Sequence, residues 1–283
     1  MVDERCVSCF LRTYKRLFSK YNVSESQQRL FHTFSDHVVR GNYSKFAPEI
    51  QRILSKTFCR LINIDDPFKE EKEESNRIAL ELYNEWKPKV IESENPFNTA
   101  IRLAIAGNIM DYGANNSFDI HKSITNVLQS SFAIDHTQEL KHRLSHAKKV
   151  LYLGDNAGEI VFDRLFIETL MHGNITYVVK GGPILNDVTI NDTVQVGMHY
   201  AADVISNGYD APSTILERCS NEFREAYANA DVIIAKGQGN LEGLMHEADP
   251  RIFFLLMVKC DVIAEVLGVK KGDFVVHSFA KQN

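Results

Sequence analysis

Residues 148–159 read KKVLYLGDNAGE: two lysines, a four-residue apolar run, then an abrupt change to glycine, acid and amide. An apolar run this short fits a strand buried on both faces, and the Gly-Asp-Asn behind it fits the turn into a helix. Similar runs follow at Ile175–Val179, Asp203–Ile205, Val232–Ala235, Ile252–Met257 and Phe274–His277, separated by helical stretches. Short strands alternating with helices predict a parallel sheet covered on both faces. The spacing from Asp155 to Asp187 suits one βαβ unit, which needs roughly 30 residues. Residues 148–283 are therefore expected to form an α/β, Rossmann-like three-layer α/β/α domain.

Upstream, residues 1–147 follow helical spacing instead. Cys6–Phe18, Ser24–Val39 and Pro48–Ile64 carry apolar stripes, the second behind a Ser-x-Ser start that suits an N-cap. Asp66-Pro67 marks a break. Lys69–Glu85 is densely charged, as a solvated helix would be, and Pro96–Met110 and Ile120–Ala147 complete an all-helical N-terminal domain.

Composition narrows the partners. The 283 residues carry a net charge of -5, with 44% hydrophobic and 24% charged residues. That balance argues against nucleic acid, which requires a basic face. It leaves room for a small phosphorylated ligand, because one bound cation supplies the local positive charge. The start MVDERCVSCFLRTYKRLF places charges where a secretory signal needs an apolar stretch, and the apolar run Ile252–Val258 is too short for a bilayer. Five scattered cysteines fit reduced thiols in the cytoplasm better than a disulfide framework.

In open parallel sheets ligands bind outside the carboxyl ends of the strands. Here those ends are polar: Gly154-Asp155-Asn156-Ala157-Gly158-Glu159, then Lys180-Gly181-Gly182-Pro183 with Asn186-Asp187, Ser206-Asn207-Gly208, and Lys236-Gly237-Gln238-Gly239-Asn240. Asp155, the Asn156 amide oxygen and Asp187 are hard donors suited to Mg²⁺ or Mn²⁺. Gly158 opens a helix whose N–H groups favour an anion. Lys236 stands in a glycine-rich turn where the backbone can approach a phosphate. Taken singly, each is more simply an N-cap or a turn; the succession of four is what points to a metal–phosphate site.

Together, GDNAGE at 154–159, KGGPILNDVT at 180–189, ISNG at 205–208 and AKGQGNLEGL at 235–244 resemble the damage-control phosphatase family, long catalogued as domain of unknown function 89. AIRLAIAGNIMDYGA at 100–114 resembles the family's Gly-Asn-x-x-Asp helix, and Cys6-x-x-Cys9 resembles its prokaryotic-type branch. The likeness runs from about residue 6 to 269. It implies a helical domain on an α/β/α domain and a metal-dependent phosphatase of small phosphorylated metabolites, such as sugar phosphates. Carried over by motif, the metal ligands are Asp155, Asn156 and Asp187, for Mg²⁺ or Mn²⁺ with Co²⁺ or Ni²⁺ as alternatives. Asp155, Asn156 and Lys236 would carry the chemistry. Glu159, Asn108, Asp111, Gly237 and Asn240 would contact substrate. The chain departs from the family at Lys259-Cys260-Asp261, where Lys-Cys-Pro is usual; none of the expected ligands is affected.

Water is expected to attack the phosphorus, since a carboxylate that also ligates a cation is a poor nucleophile. Two other readings stand beside this one: an S-adenosylmethionine-dependent protein carboxyl methyltransferase, and a non-catalytic module that binds a metal and a phosphometabolite. Cys6 and Cys9 have zinc spacing but no second pair. His172, four residues after Glu168, reads as a surface pair, and His199 and His246 have no companions at ligand spacing.

Overall fold

In a computed structural model, residues 3–41, 47–107 and 117–279 are described, without the side chains of 117–120 and 123. One sheet of seven strands forms the centre. The strands are β1 (Ile134–Asp135), β2 (Val150–Leu153), β3 (Ile175–Val179), β4 (Asp203–Ser206), β5 (Val232–Lys236), β6 (Ile252–Met257) and β7 (Phe274–Ser278), in the order β1-β7-β6-β5-β2-β3-β4.

Alternation along each strand builds three layers. Val150 and Tyr152 of β2, with Tyr177, Ile234 and Phe253, face one core; Leu151 and Leu153, with Val178, Ile233 and Phe254, face the other. The first core is closed by α4 (Lys69–Glu92), α5 (Pro96–Ala106), α7 (Thr137–His146) and α8 (Glu159–Leu170). The second is closed by α10 (Asn221–Asn229), α11 (Gly237–Leu244) and α12 (Asp261–Leu267). Side chains such as Phe162, Phe166, Phe253 and Phe254 are fully buried, each contributing about 1.5–3 kcal/mol of transfer free energy.

A third core lies among α1 (Glu4–Lys20), α2 (Glu25–Arg40) and α3 (Ala47–Ile62). It is aromatic: Tyr14, Phe18, Phe31 and Phe58 interlock, with Tyr14 and Phe31 centroids 4.7 Å apart. Ser24 caps α2 in a reciprocal capping box with Gln27, as its sequence position predicts.

Three expectations need correcting. Ile120–Ala147 is not one helix but α6 (Ser117–Gln129), β1 and α7. The exposed edge of β7 takes this segment as a strand, with Ala133 N donating to Phe274 O and His136 N to Val276 O; Asp135 Oδ1 then accepts the Thr137 N–H to start α7. The sheet is also not wholly parallel, because β7 runs antiparallel to β6. The seven residues of α12 span about 10 Å, too little to carry the chain back along a strand. Finally, Lys69–Glu85 continues to Glu92, past Pro88, and buries Val90 in the core of the sheet's first face.

Among the described residues, no helix is long and apolar enough to cross a membrane. The short helix α9 (Ile190–Gln195) follows the β3 loop and completes the elements around the carboxyl end.

Candidate active site

Strand β2 has β5 on one side and β3 on the other. The chain runs from β2 outward to β3 and β4, then crosses back to β5, so the crevice between β2 and β5 is the topological switch point. Asp155 and Gly237 meet there. Gly237 has φ +77°, and a Cβ on it would stand 1.9 Å from Asp155 Oδ2. The Asp155 carboxylate therefore occupies the volume that any other side chain start would fill.

Asp187 arrives through backbone pairing. Asn156 and Asp187 form an isolated antiparallel bridge. Around it, Ala157 N donates to Asn186 O at 2.9 Å, Val188 N to Asp155 O at 2.9 Å, and Lys180 N to Val188 O at 3.0 Å. The loop between Lys180 and Asp187 passes through Leu185, held at φ +46°, with its side chain against the aromatic core of α1–α3. Asp155, Asn156 and Asp187 are thus brought together, 7%, 6% and 3% exposed.

Two carboxylates and an amide on facing turns are the donor chemistry that Mg²⁺ and Mn²⁺ take. The cradle at Gly237 leaves the Asp155 carboxylate seated without a clash. Asn156 Nδ2 donates to Asp155 Oδ2 at 2.8 Å, which sets the amide beside the carboxylate. Among the described residues, no group of three or more His, Cys, Asp or Glu side chains is arranged to hold a metal. A cation here would rely on the Asn156 amide oxygen and on ligands beyond the two carboxylates.

Lys236, expected at the phosphate, has another place. It is fully buried, and Nζ donates to Ala104 O at 2.7 Å, to Asp163 Oδ1 at 2.7 Å and to Glu159 Oε1. An ammonium has three donors, and all three are used. Burial works against its charge, but Asp163 and Glu159 outweigh that and push its pKa up. Tyr152 and Tyr177 hydroxyls complete the cluster, donating to Asp163 Oδ1 and Oδ2 at 2.7 and 2.9 Å. Glu159 is itself 1% exposed. Burial, with Asp155 and Asp163 nearby, overcomes the pull of Lys236 and pushes its carboxyl up to about 8.

The lysine that does border Asp187 is Lys180, 3.6 Å from Asp187 Oδ1 and 3.0 Å from Asn240 Oδ1. Asn240, expected to touch substrate, is fully buried: Oδ1 also accepts from Thr214, and Nδ2 donates to Gly154 O and Lys236 O. It ties the ends of β2 and β5 together. The Gly158 N–H, expected to help bind an anion, donates to Asn76 Oδ1 at 2.7 Å. Asn108 and Asp111 lie outside the described residues.

A cleft of about 750 Å³ opens between α4 and the loop after β3, lined by Lys69, Lys72, Lys180, Thr189, Asn191 and Ser206 among others. Lys72 is not on a solvated face as expected. It is 4% exposed and pairs with Asp66 at 2.9 Å and Asp192 at 3.4 Å. Lys180, Asp163 and Asn76 were not singled out by sequence reasoning. Lys180 had a signal, since it directly follows β3 as Lys236 ends β5; Asp163 and Asn76, inside helices, had none. Burial pushes the Cys6 thiol up to about 11, with Glu242 and Cys260 adding to the effect.

Residues 2–275 match the damage-control phosphatase ARMT1-like domain. The chain belongs to this family. It is 33% identical over 280 residues to damage-control phosphatase PH1575 of Pyrococcus horikoshii, covering 97% of this chain and 96% of that one. To a damage-control phosphatase of Archaeoglobus fulgidus it is 35% identical over 286 residues, covering 97% and 98%. The crystal structure of the Pyrococcus horikoshii DUF89 family protein PH1575 superposes with a TM-score of 0.88 at 32% identity, over 98% of each chain.

Proposed function

We propose that this chain is a divalent-metal-dependent phosphatase of small phosphorylated metabolites, with sugar phosphates or damaged phosphometabolites as its substrates. The observation that carries the reading is the apposition of Asp155 and Asn156 with Asp187 at the sheet's switch point. The names of the relatives support the reaction class.

Asp155, Asn156 and Asp187 would hold the cation, as Mg²⁺ or Mn²⁺. When bound, it would supply Lewis acidity and charge neutralisation at the phosphoryl group. The chain's own residues do the rest. Lys180 places an ammonium beside Asp187, where it can offset the charge of a phosphate oxygen. The adjoining cleft offers hydroxyl, amide and ammonium groups to the remainder of the substrate. Glu159 lies buried near Asp155 and is held by Lys236, with burial pushing its carboxyl pKa up. Lys236 acts from behind, fixing Glu159 and Asp163. Water is the attacking group in this reading. The Asp155 carboxylate is wedged against Gly237 and engaged by Asn156, so it is poorly free to move onto phosphorus.

The test is phosphate release from a panel of sugar phosphates and p-nitrophenyl phosphate by chelator-stripped protein, with Mg²⁺, Mn²⁺, Co²⁺ and Ni²⁺ restored singly. Release that needs a cation supports the proposal. No release while Mn²⁺ still binds would favour a binding module, and saturable S-adenosylmethionine binding would favour the methyltransferase. An isolated phosphoenzyme would overturn the choice of nucleophile.

A further inference from the structure

Asn76 lies on α4, four residues after Lys72 on the same helix face, far in sequence from the turns that carry the expected ligands. Its side chain is fully buried. Oδ1 accepts the Gly158 N–H at 2.7 Å, and Nδ2 donates to Asp192 Oδ1 at 3.1 Å and Gln195 Oε1 at 2.8 Å. The orientation of the amide is fixed by its partners. A backbone N–H can only donate, and an ionised carboxylate can only accept.

Gly158 and Asp192 are each tied to one of the two paired turns, and Gln195 ends α9. Gly158 closes the Asp155–Asn156 turn and begins α8 at φ +76°. Asp192 closes the turn after Asp187: its Oδ2 accepts from the Thr189 N–H at 2.8 Å and the Thr189 hydroxyl at 2.7 Å, capping α9. One amide from the helical half therefore spans both turns. Anchoring α4 does not require it, because Ala79, Leu82 and Tyr83 already share a core with α8.

We propose that Asn76 is a positioning residue of the metal–phosphate site, setting the distance between the Asp155–Asn156 turn and the Asp187 turn; this rests on the metal-dependent phosphatase reading. Ligand positions must hold within about 0.5 Å for a site to function, and losing an outer partner of a metal ligand costs about 10–100-fold in affinity or activity. Asn76 touches neither substrate nor cation. It acts through the backbone of Gly158 and the cap at Asp192.

The test uses the full chain with Asn76→Ala, Asn76→Asp and the exchange double variant N76D/D192N. The exchange keeps the net charge and restores a donor opposite an acceptor between positions 76 and 192, while Gln195 Oε1 loses its donor. Three quantities are read: Mn²⁺ affinity by calorimetry, kcat and KM for p-nitrophenyl phosphate, and hydrogen exchange at the Gly158 amide. Asn76→Ala and Asn76→Asp are expected to weaken Mn²⁺ binding and lower kcat by about 10–100-fold, with KM changed less. The Gly158 amide is expected to exchange faster in Asn76→Ala, and the exchange variant to bind Mn²⁺ more tightly than Asn76→Asp. Parental Mn²⁺ affinity and kcat in Asn76→Ala, with only a lower melting temperature, would overturn the proposal alone. A parent chain that binds none of Mn²⁺, Mg²⁺, Co²⁺ and Ni²⁺, with slow Gly158 exchange, would overturn the phosphatase reading and the proposal with it.

Discussion

Lys236 Nζ stands 2.7 Å from Asp163 Oδ1, and neither side chain has any solvent exposure. A buried pair of this kind persists because every remaining donor and acceptor is met, here by Glu159, Ala104 O, Tyr152 and Tyr177. Removing one partner leaves the other charged and unsolvated. Asp163→Ala should lower folding stability by about 3–5 kcal/mol. Urea denaturation checks it, and a loss under about 1 kcal/mol would show that the cluster relaxes or takes up water.

Gly237→Ala tests the cradle. Its Cβ would stand 1.9 Å from Asp155 Oδ2 at a backbone φ of +77°, so Asp155 must move. A displacement near 1 Å costs about 100-fold in rate. The variant should fold, with circular dichroism like the parent, and lose phosphatase activity by about that factor.

Lys180→Gln should reduce kcat/KM by about 100-fold, the usual cost of one electrostatic contact to a developing charge. Lys180→Arg should keep part of it. The opposite ranking from Lys236 is informative: Lys236→Met should first be seen as lost stability, because that ammonium is saturated by the protein.

Glu159 makes a pH prediction for the metal-free protein. Its carboxyl is raised from 4.5 to about 8, so the folded state holds the proton more tightly than the unfolded chain. The stability this confers is complete below about pH 4.5 and is lost as pH rises toward 8, with a slope of at most ~1.4 kcal/mol per pH unit. Glu159→Gln should flatten the stability profile between pH 5 and 8, measured by denaturation in chelator. An unchanged slope would assign the dependence to another group.

The fold was largely legible because its signals are local. Each of β2 to β7 shows as a short apolar run, whereas the strand order that makes the gap between β2 and β5 the switch point is set by pairing between distant segments and has no local signal. What escaped depends on distant partners. The two residues of β1 form a strand only because β7 has a free edge. Lys72 and Asn76 sit in a stretch that reads as solvated, and nothing local announces that Asp192, 120 and 116 residues away, will bury them. The candidate site divides in the same way. Asp155, Asn156 and Asp187 lie on turns that pair, whereas Lys236, expected at the phosphate, turns into the core toward Asp163, and Lys180, given no role from the sequence, borders Asp187.

The most direct test of the ligand set is the Mn²⁺ dependence of phosphate release by the parent chain and by Asp187→Asn. Hydrogen-bonding shape is nearly conserved in that variant while one anionic oxygen donor is lost. Half-saturating Mn²⁺ is expected to rise by at least about tenfold, or activity to disappear. An Asp187→Asn curve that overlays the parent's would contradict a cation held between Asp155, Asn156 and Asp187.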